Sequence, residues 1–118
     1  MIKDLEVYKK SVELAITVYK VTARFPKHES LELSSQMRRA AVSIACNLSE
    51  GGARGSTKDF VRFIGISRGS CAELLTLIEI AQGIGWLVDD GELRDEVTRI
   101  GKMLTQLQKS LRARATNS

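Results

Sequence analysis

The sequence predicts an all-α protein that folds as a single-domain, antiparallel four-helix bundle with up-down-up-down connections. The 118 residues include one proline and few aromatic residues. Apolar residues recur at three- and four-residue steps over four long segments, and short turn-like segments separate them. A chain of this length buries a substantial core, but it is too short for a catalytic domain together with a separate regulatory one.

The first predicted helix covers about residues 3–24 and is apolar on two faces. The face predicted to meet the core repeats at a near-heptad rhythm and consists of Leu5, Tyr8, Val12, Ala15, Ile16 and Tyr19. The roughly opposite face consists of Val7, Leu14, Val18, Val21 and Phe25. Because long exposed apolar stripes usually mark association, we expect this second face to contact another subunit. Partial burial under loops is the alternative.

The second predicted helix covers about residues 31–50 and carries polar residues beside its core face. The Phe25-Pro26 step ends the preceding helix, Ser30 is a predicted N-cap, and Gly51-Gly52 is a predicted helix end. Polar groups beside a core need hydrogen-bonding partners. The polar stripe of this helix consists of Gln36, Arg39, Ser43, Asn47, Glu50 and Arg54. We expect it to organise helix and subunit packing rather than to bind a ligand.

The third predicted helix covers about residues 57–84 and begins at a Ser56 or Thr57 cap. Gly65 and Gly69 lie on one narrow flank, where glycine lowers helix propensity by about 1 kcal/mol relative to alanine. We therefore expect another helix to approach the backbone there, and we include both glycines in the predicted subunit interface. Ser70 and Glu73 border this flank. They are the predicted partners of Arg39, Ser43 or Asn47.

The fourth predicted helix covers about residues 92–113, with Leu93, Val97, Ile100, Leu104, Leu107 and Leu111 at core spacing. Trp86 and Leu87 are predicted to seal the end of the bundle before it. The last residues, 116–118, are predicted to fray.

Neither a catalytic site, a cofactor site nor a metal site is predicted. The one histidine, His28, lies beside the proline turn, and nothing nearby supplies the further groups that catalysis or a metal would need. Cys46 and Cys71 are predicted to be small buried residues in a reducing compartment. No apolar run reaches transmembrane length, so we expect a cytoplasmic protein that does not enter the membrane.

The charge favours acidic partners, and nucleic acid is the first candidate. The net charge is +4 and the sequence pI is about 9.3. The candidate nucleic-acid contacts are Arg24, Lys27, Arg54, Lys58, Arg62, Arg68, Lys109, Arg112 and Arg114. The first six of these are expected to cluster around the ends of the first three helices. Since most aromatic residues are predicted to be in the core, binding would be electrostatic and weakly sequence-selective. The alternatives are a protein-interaction module whose charge is incidental, and a small-molecule pocket within the bundle.

The central part of the chain resembles the four-helix bundle proteins encoded in intervening sequences of bacterial large-subunit ribosomal RNA genes. The motifs are Phe25-Pro26 with Glu29, Gln36 with Arg38-Arg39-Ala40, Ser43-Ile44, Asn47, Glu50-Gly51, and Gly69-Ser70 with Glu73. The resemblance implies an antiparallel bundle assembled into a homopentameric ring. It also implies kinship with the accessory protein of diversity-generating retroelements, and therefore a reverse transcriptase and nucleic acid as partners. It implies no established activity.

Overall fold

Four α-helices pack side by side in the computed structural model, which describes Ile2 and residues 5–117. The helices are α1 (Glu6–Thr22), α2 (Leu31–Ala53), α3 (Thr57–Ile84) and α4 (Glu92–Asn117). Each packs against its neighbours in the chain, and α4 closes the bundle against α1. The molecule measures 52 × 22 × 20 Å. The predicted four-helix bundle is confirmed.

Three helices differ from the prediction at their ends. Helix α1 spans Glu6–Thr22, so it starts after the described residue Leu5 and ends two residues before the predicted bound. Helix α2 continues through Gly51 and Gly52 to Ala53. The glycine with positive φ in the connection to α3 is Gly55, at 82°. Helix α4 continues past Ala113 to Asn117, so the predicted fraying is wrong for residues 116 and 117, while Ser118 lies outside the described residues. Residues 3 and 4, where the first helix was predicted to begin, also lie outside them.

Of the predicted N-cap side chains, Ser56 caps α3, whereas Ser30 does not cap α2. The Ser56 hydroxyl accepts a hydrogen bond from the Asp59 amide at 3.1 Å, as expected for an N-cap. Ser30 occupies the N-cap position of α2, but its hydroxyl donates to the Pro26 carbonyl and accepts only from the Ser34 hydroxyl, not from a backbone amide of the helix. Trp86 packs against Phe25 with 6.0 Å between ring centroids, and Leu87 is buried beside them. These residues seal one end of the core, as predicted.

The two faces of α1 are reversed relative to the prediction. Val7, Leu14, Val18 and Phe25 are buried in the protomer's own core, and Leu14 and Val18 are 0% exposed. These four residues therefore cannot form the predicted subunit interface, and Val21 is half-buried against the same core. On the face predicted to be core, Ile16 is 51% and Tyr19 is 48% exposed, whereas Leu5, Tyr8 and Ala15 are half-buried against the core.

Two buried hydroxyls explain the reversal. Ser11 and Thr22 lie on the core face of α1 and make it look less apolar than the opposite face. Each hydroxyl donates to a carbonyl one turn earlier, Ser11 to Val7 and Thr22 to Val18, both at 2.7 Å. Because these hydrogen bonds are local, the hydroxyls are buried at low cost.

None of the described helices combines the length and the apolar composition that crossing a bilayer requires.

Candidate nucleic-acid interface

The bundle brings two separate basic segments together at one end. Helices α3 and α4 are antiparallel, and the Gln108 side-chain amide donates to the Val61 carbonyl at 3.0 Å. The last turns of α4 therefore lie beside the first turns of α3 and the end of α2. The basic end, as we name it, consists of the exposed residues Arg54, Lys58, Arg62, Lys109, Arg112 and Arg114.

Three of the nine predicted nucleic-acid contacts lie elsewhere. Arg24 and Lys27 follow α1 at the opposite end of the bundle, where Asp89 and Asp90 precede α4. Arg68 lies farther along α3, and its guanidinium donates to Gln108 Oε1 at 2.7 Å. The prediction that Arg24 and Lys27 cluster with Arg54, Lys58 and Arg62 is therefore wrong, because the connection between α1 and α2 lies at the far end.

Two arginines of the basic end, Arg54 and Arg62, pack against the ring of the buried Phe63. The guanidinium carbons of Arg54 and Arg62 lie 5.1 Å and 4.6 Å from the centroid of the Phe63 ring, which is within the range of cation–π attraction. Arg54 also pairs with Glu50 at 2.8 Å. The arginine side chains are thus packed on the bundle surface, while their charges remain exposed to solvent.

The polar stripe of α2 meets α3 through a small hydrogen-bonded cluster. The Ser43 and Ser70 hydroxyls are 2.8 Å apart, and the Asn47 amide donates to both the carbonyl and the hydroxyl of Ser43 at 2.9 Å. The predicted partnership of Ser43 with Ser70 is therefore present. Within the described part of the chain, Arg39 and Glu73 have no hydrogen bond or ion pair, so Glu73 is not a partner of the stripe within one protomer.

The remaining predicted residues, Gln36, Gly65 and Gly69, lie outside this hydrogen-bonded cluster. Gln36 is half-buried in a shallow cavity between α2 and α3, lined also by Leu33 and Ile80. A Cβ atom added at Gly65 would lie 3.3 Å from the Gln108 side chain, whereas one at Gly69 would meet nothing within 4 Å. Helix α4 therefore approaches Gly65, whereas the space beside Gly69 is not filled by any of the described residues.

Sequence reasoning missed two polar side chains that bridge helices. Arg38 Nε donates to the Thr22 hydroxyl at 2.8 Å, and its guanidinium lies 4.8 Å from the Tyr19 ring centroid. Gln108 is buried between Arg68 and the Val61 carbonyl. The signal for Gln108 was present in the sequence, because it occupies a core position between Leu104 and Leu111 at helical spacing.

The outward face of α1 and the adjacent part of α2 form an apolar groove of about 530 Å³. Cys46 is exposed in it, so the prediction that both cysteines are buried is wrong for this one. The outer groove, as we name it, is lined by Tyr8, Val12, Ala15, Ile16, Tyr19, Lys20, Val42, Ala45, Cys46 and Ser49.

Cys71 is the buried cysteine. Burial raises the pKa of its thiol to about 11, and the positive charge of Arg68 opposes part of this effect. A thiol with this pKa is protonated at neutral pH, so it is a poor nucleophile.

Acidic residues line a cleft between α1 and α4, together with the basic residues Lys10 and Arg99. Burial raises the pKa of Glu96, and the nearby Glu13 charge adds to this effect. No group of three potential metal ligands occurs among the residues that the structure describes, and His28 is exposed in its turn.

The comparisons with known proteins agree with this architecture. The family model described as 23S rRNA-intervening sequence protein matches residues 3–106. A solved structure from Bacteroides thetaiotaomicron VPI-5482, described as a protein with unknown function from the S23 ribosomal protein family, has a TM-score of 0.78 at 24% sequence identity. The match covers 87% of this chain and 98% of that chain. No curated protein matches this sequence.

Proposed function

The chain belongs to the 23S rRNA-intervening sequence protein family, and on this premise we propose that it is a non-enzymatic helical scaffold that binds RNA or DNA electrostatically. The scaffold assembles from copies of the chain, and the resemblance discussed above favours a homopentamer. A cytoplasmic location fits its two free cysteines.

The observation that carries the nucleic-acid proposal is the gathering of exposed cations at the basic end. Residues 5–10, 47–65 and 105–117 contain eight lysines and arginines but three aspartates and glutamates. Lys58 and Lys109 are exposed and make no ion pair in the described part of the chain. Such groups contact phosphates without needing a defined base sequence.

The aromatic residues at this end argue for contact with the nucleic-acid backbone rather than with bases. Phe63 is buried and Phe60 is half-buried, so neither ring presents an open face on which a base can stack. Arg54 and Arg62 cover the Phe63 ring further. The expected binding is salt-sensitive and has little sequence preference.

A pair of matched double variants tests this proposal. Lys58→Glu with Lys109→Glu changes the basic end, and Arg24→Glu with Lys27→Glu makes the same change in net charge at the other end. Anisotropy of a labelled RNA duplex should show a loss of affinity of about tenfold or more for the first variant, and a salt slope smaller by about 2. The second variant should stay within about twofold of the parent.

One outcome would contradict the location of the site, and another would contradict nucleic-acid binding itself. Equal losses in the two variants would show that binding follows net charge and is not localised at the basic end. Absence of binding by the parent at about 50 mM salt, where phosphate contacts are strong, would support the rival function instead. That rival is a protein-interaction module for a partner such as a reverse transcriptase, and the exposed Ile16 and Tyr19 of the outer groove favour it.

A further inference from the structure

A second exposed surface lies on α3, away from the outer groove. The α3 stripe, as we name it, recurs at alternating steps of three and four residues, as in a helix that packs along another helix. Its members are Ile66, Gly69, Glu73, Thr76, Ile80 and Gly83. Ile66 is 42% and Ile80 is 45% exposed, although both are large and apolar.

The glycines of the α3 stripe face open space in the described part of the protomer. A Cβ atom at Gly69 or Gly83 would meet nothing within 4 Å, so neither glycine makes room for a neighbouring helix of the same chain. Each costs about 1 kcal/mol of helix propensity relative to alanine. An open glycine beside an exposed isoleucine suits the close approach of another surface.

The α3 stripe and the outer groove carry opposite charges. Glu73 lies midway between Ile66 and Ile80, is exposed, and has no ion pair in the described part of the chain. Lys20 lines the outer groove, and Arg39 lies one turn before Val42 on the same face of α2. Arg39 is likewise exposed and unpaired among the described residues. An apolar contact between the two surfaces would therefore also bring opposite charges together.

The two surfaces also have similar lengths. At 1.5 Å per residue, the groove is roughly 17 Å long between Tyr8 and Tyr19, and the stripe is roughly 21 Å long between Ile66 and Ile80. They lie on different helices of the bundle, so one protomer can use both surfaces at once.

We propose that the α3 stripe of one copy of the chain seats in the outer groove of the next copy, with Glu73 of one copy beside Arg39 of the other. This inference rests on the self-assembly proposed above and names the two surfaces that carry it. Because the two surfaces differ, each copy offers a free stripe and a free groove, and the contact generates a closed ring or an open filament.

Charge reversal tests the proposed pairing. Sedimentation velocity at fixed protein concentration should show that Arg39→Glu and Glu73→Arg each shift assemblies toward the protomer by about tenfold or more in dissociation constant. The combined variant should regain most of the parental assembly, because each contact again joins opposite charges. Glu79→Arg is the matched control, since Glu79 is exposed on α3 but lies outside the stripe, and it should assemble like the parent.

Cys46 supplies an independent readout, because it is exposed within the outer groove. Its alkylation rate should fall at protein concentrations where the parent assembles and should stay high in Glu73→Arg. Circular dichroism should confirm that both proteins remain helical.

The outcomes distinguish this inference from the proposed function. If the parent assembles while Arg39→Glu and Glu73→Arg behave like Glu79→Arg, the named surfaces are wrong and the scaffold proposal stands. Failure of the combined variant to recover would overturn the Glu73–Arg39 pairing. If the parent sediments as a protomer at about 100 µM, both the inference and the assembly part of the proposed function fail.

Discussion

Glycine can either end a helix or allow two helices to approach each other closely, and Gly51 does the second. The glycine pair at positions 51 and 52 predicts a helix end, because glycine adopts positive φ readily. In the structure both residues are helical, and a Cβ atom at Gly51 would lie 2.6 Å from Phe63 Cβ. The absence of a side chain therefore allows α2 and α3 to approach each other closely.

Substitution of Gly51 by alanine should destabilise the protein, because the added methyl group forces α2 and α3 apart. We expect the free energy of unfolding in urea to fall by about 1–3 kcal/mol. The control is Gly101→Ala, since Gly101 is also helical and a Cβ atom there meets nothing within 4 Å. It should be neutral or stabilising by up to about 1 kcal/mol, and an equal loss in the two variants would argue against the close approach.

Cys71 should make stability depend on pH in the alkaline range. Burial raises the pKa of its thiol from 9.0 to about 11, so the folded protein keeps a proton that the unfolded chain loses. The contribution of this group to stability is present below about pH 9 and falls as the pH rises toward 11. Urea unfolding between pH 8 and pH 11 should therefore show a steeper loss for the parent than for Cys71→Ala.

The exposed Cys46 provides the control for this pH dependence. Cys46→Ala should retain the steep alkaline loss of the parent, since Cys71 is unchanged in it. A parent and a Cys71→Ala variant with parallel pH profiles would show that burial of this thiol does not influence folding.

At the scale of helices, side-chain hydrogen bonds set how neighbouring helices align. Ser43 and Ser70 join α2 to α3 at 2.8 Å, and the Ser67 hydroxyl donates to the Ile44 carbonyl at 2.9 Å. Gln108 joins α4 to α3 in the same way. Apolar contacts alone tolerate small shifts along the helix axis, whereas these directional bonds favour one alignment.

Removal of the Gln108 side chain should weaken the contact between α3 and α4. Gln108→Ala loses hydrogen bonds to Arg68 and to the Val61 carbonyl and leaves a cavity, so we expect a loss of about 2–3 kcal/mol in unfolding free energy. Gln106→Ala, at an exposed position of the same helix, should change it by less than about 0.5 kcal/mol. Comparable effects of the two substitutions in thermal or urea unfolding would show that Gln108 is not a bridge between helices.

At the scale of the whole molecule, the antiparallel topology separates charge along the long axis. Residues 18–33 and 78–96, at the end opposite the basic end, contain four lysines and arginines but eight aspartates and glutamates. The molecule is thus polar along its 52 Å length, although its net charge is small. A polyanion is attracted to one end of such a molecule and repelled from the other, which is why the two double variants with equal net charge should differ.

The sequence by itself determined the number of helices and their approximate bounds, and it named Ser70 among the candidate partners of the polar stripe that contains Ser43. These follow from local periodicity, capping residues and the need of polar groups beside a core for partners. Only the tertiary structure decided which face of α1 is buried, because its two faces are similarly apolar and Ser11 and Thr22 satisfy their hydroxyls locally. It also decided which cations share an end, since residues as distant in sequence as Lys58 and Lys109 become neighbours only when the helices pair.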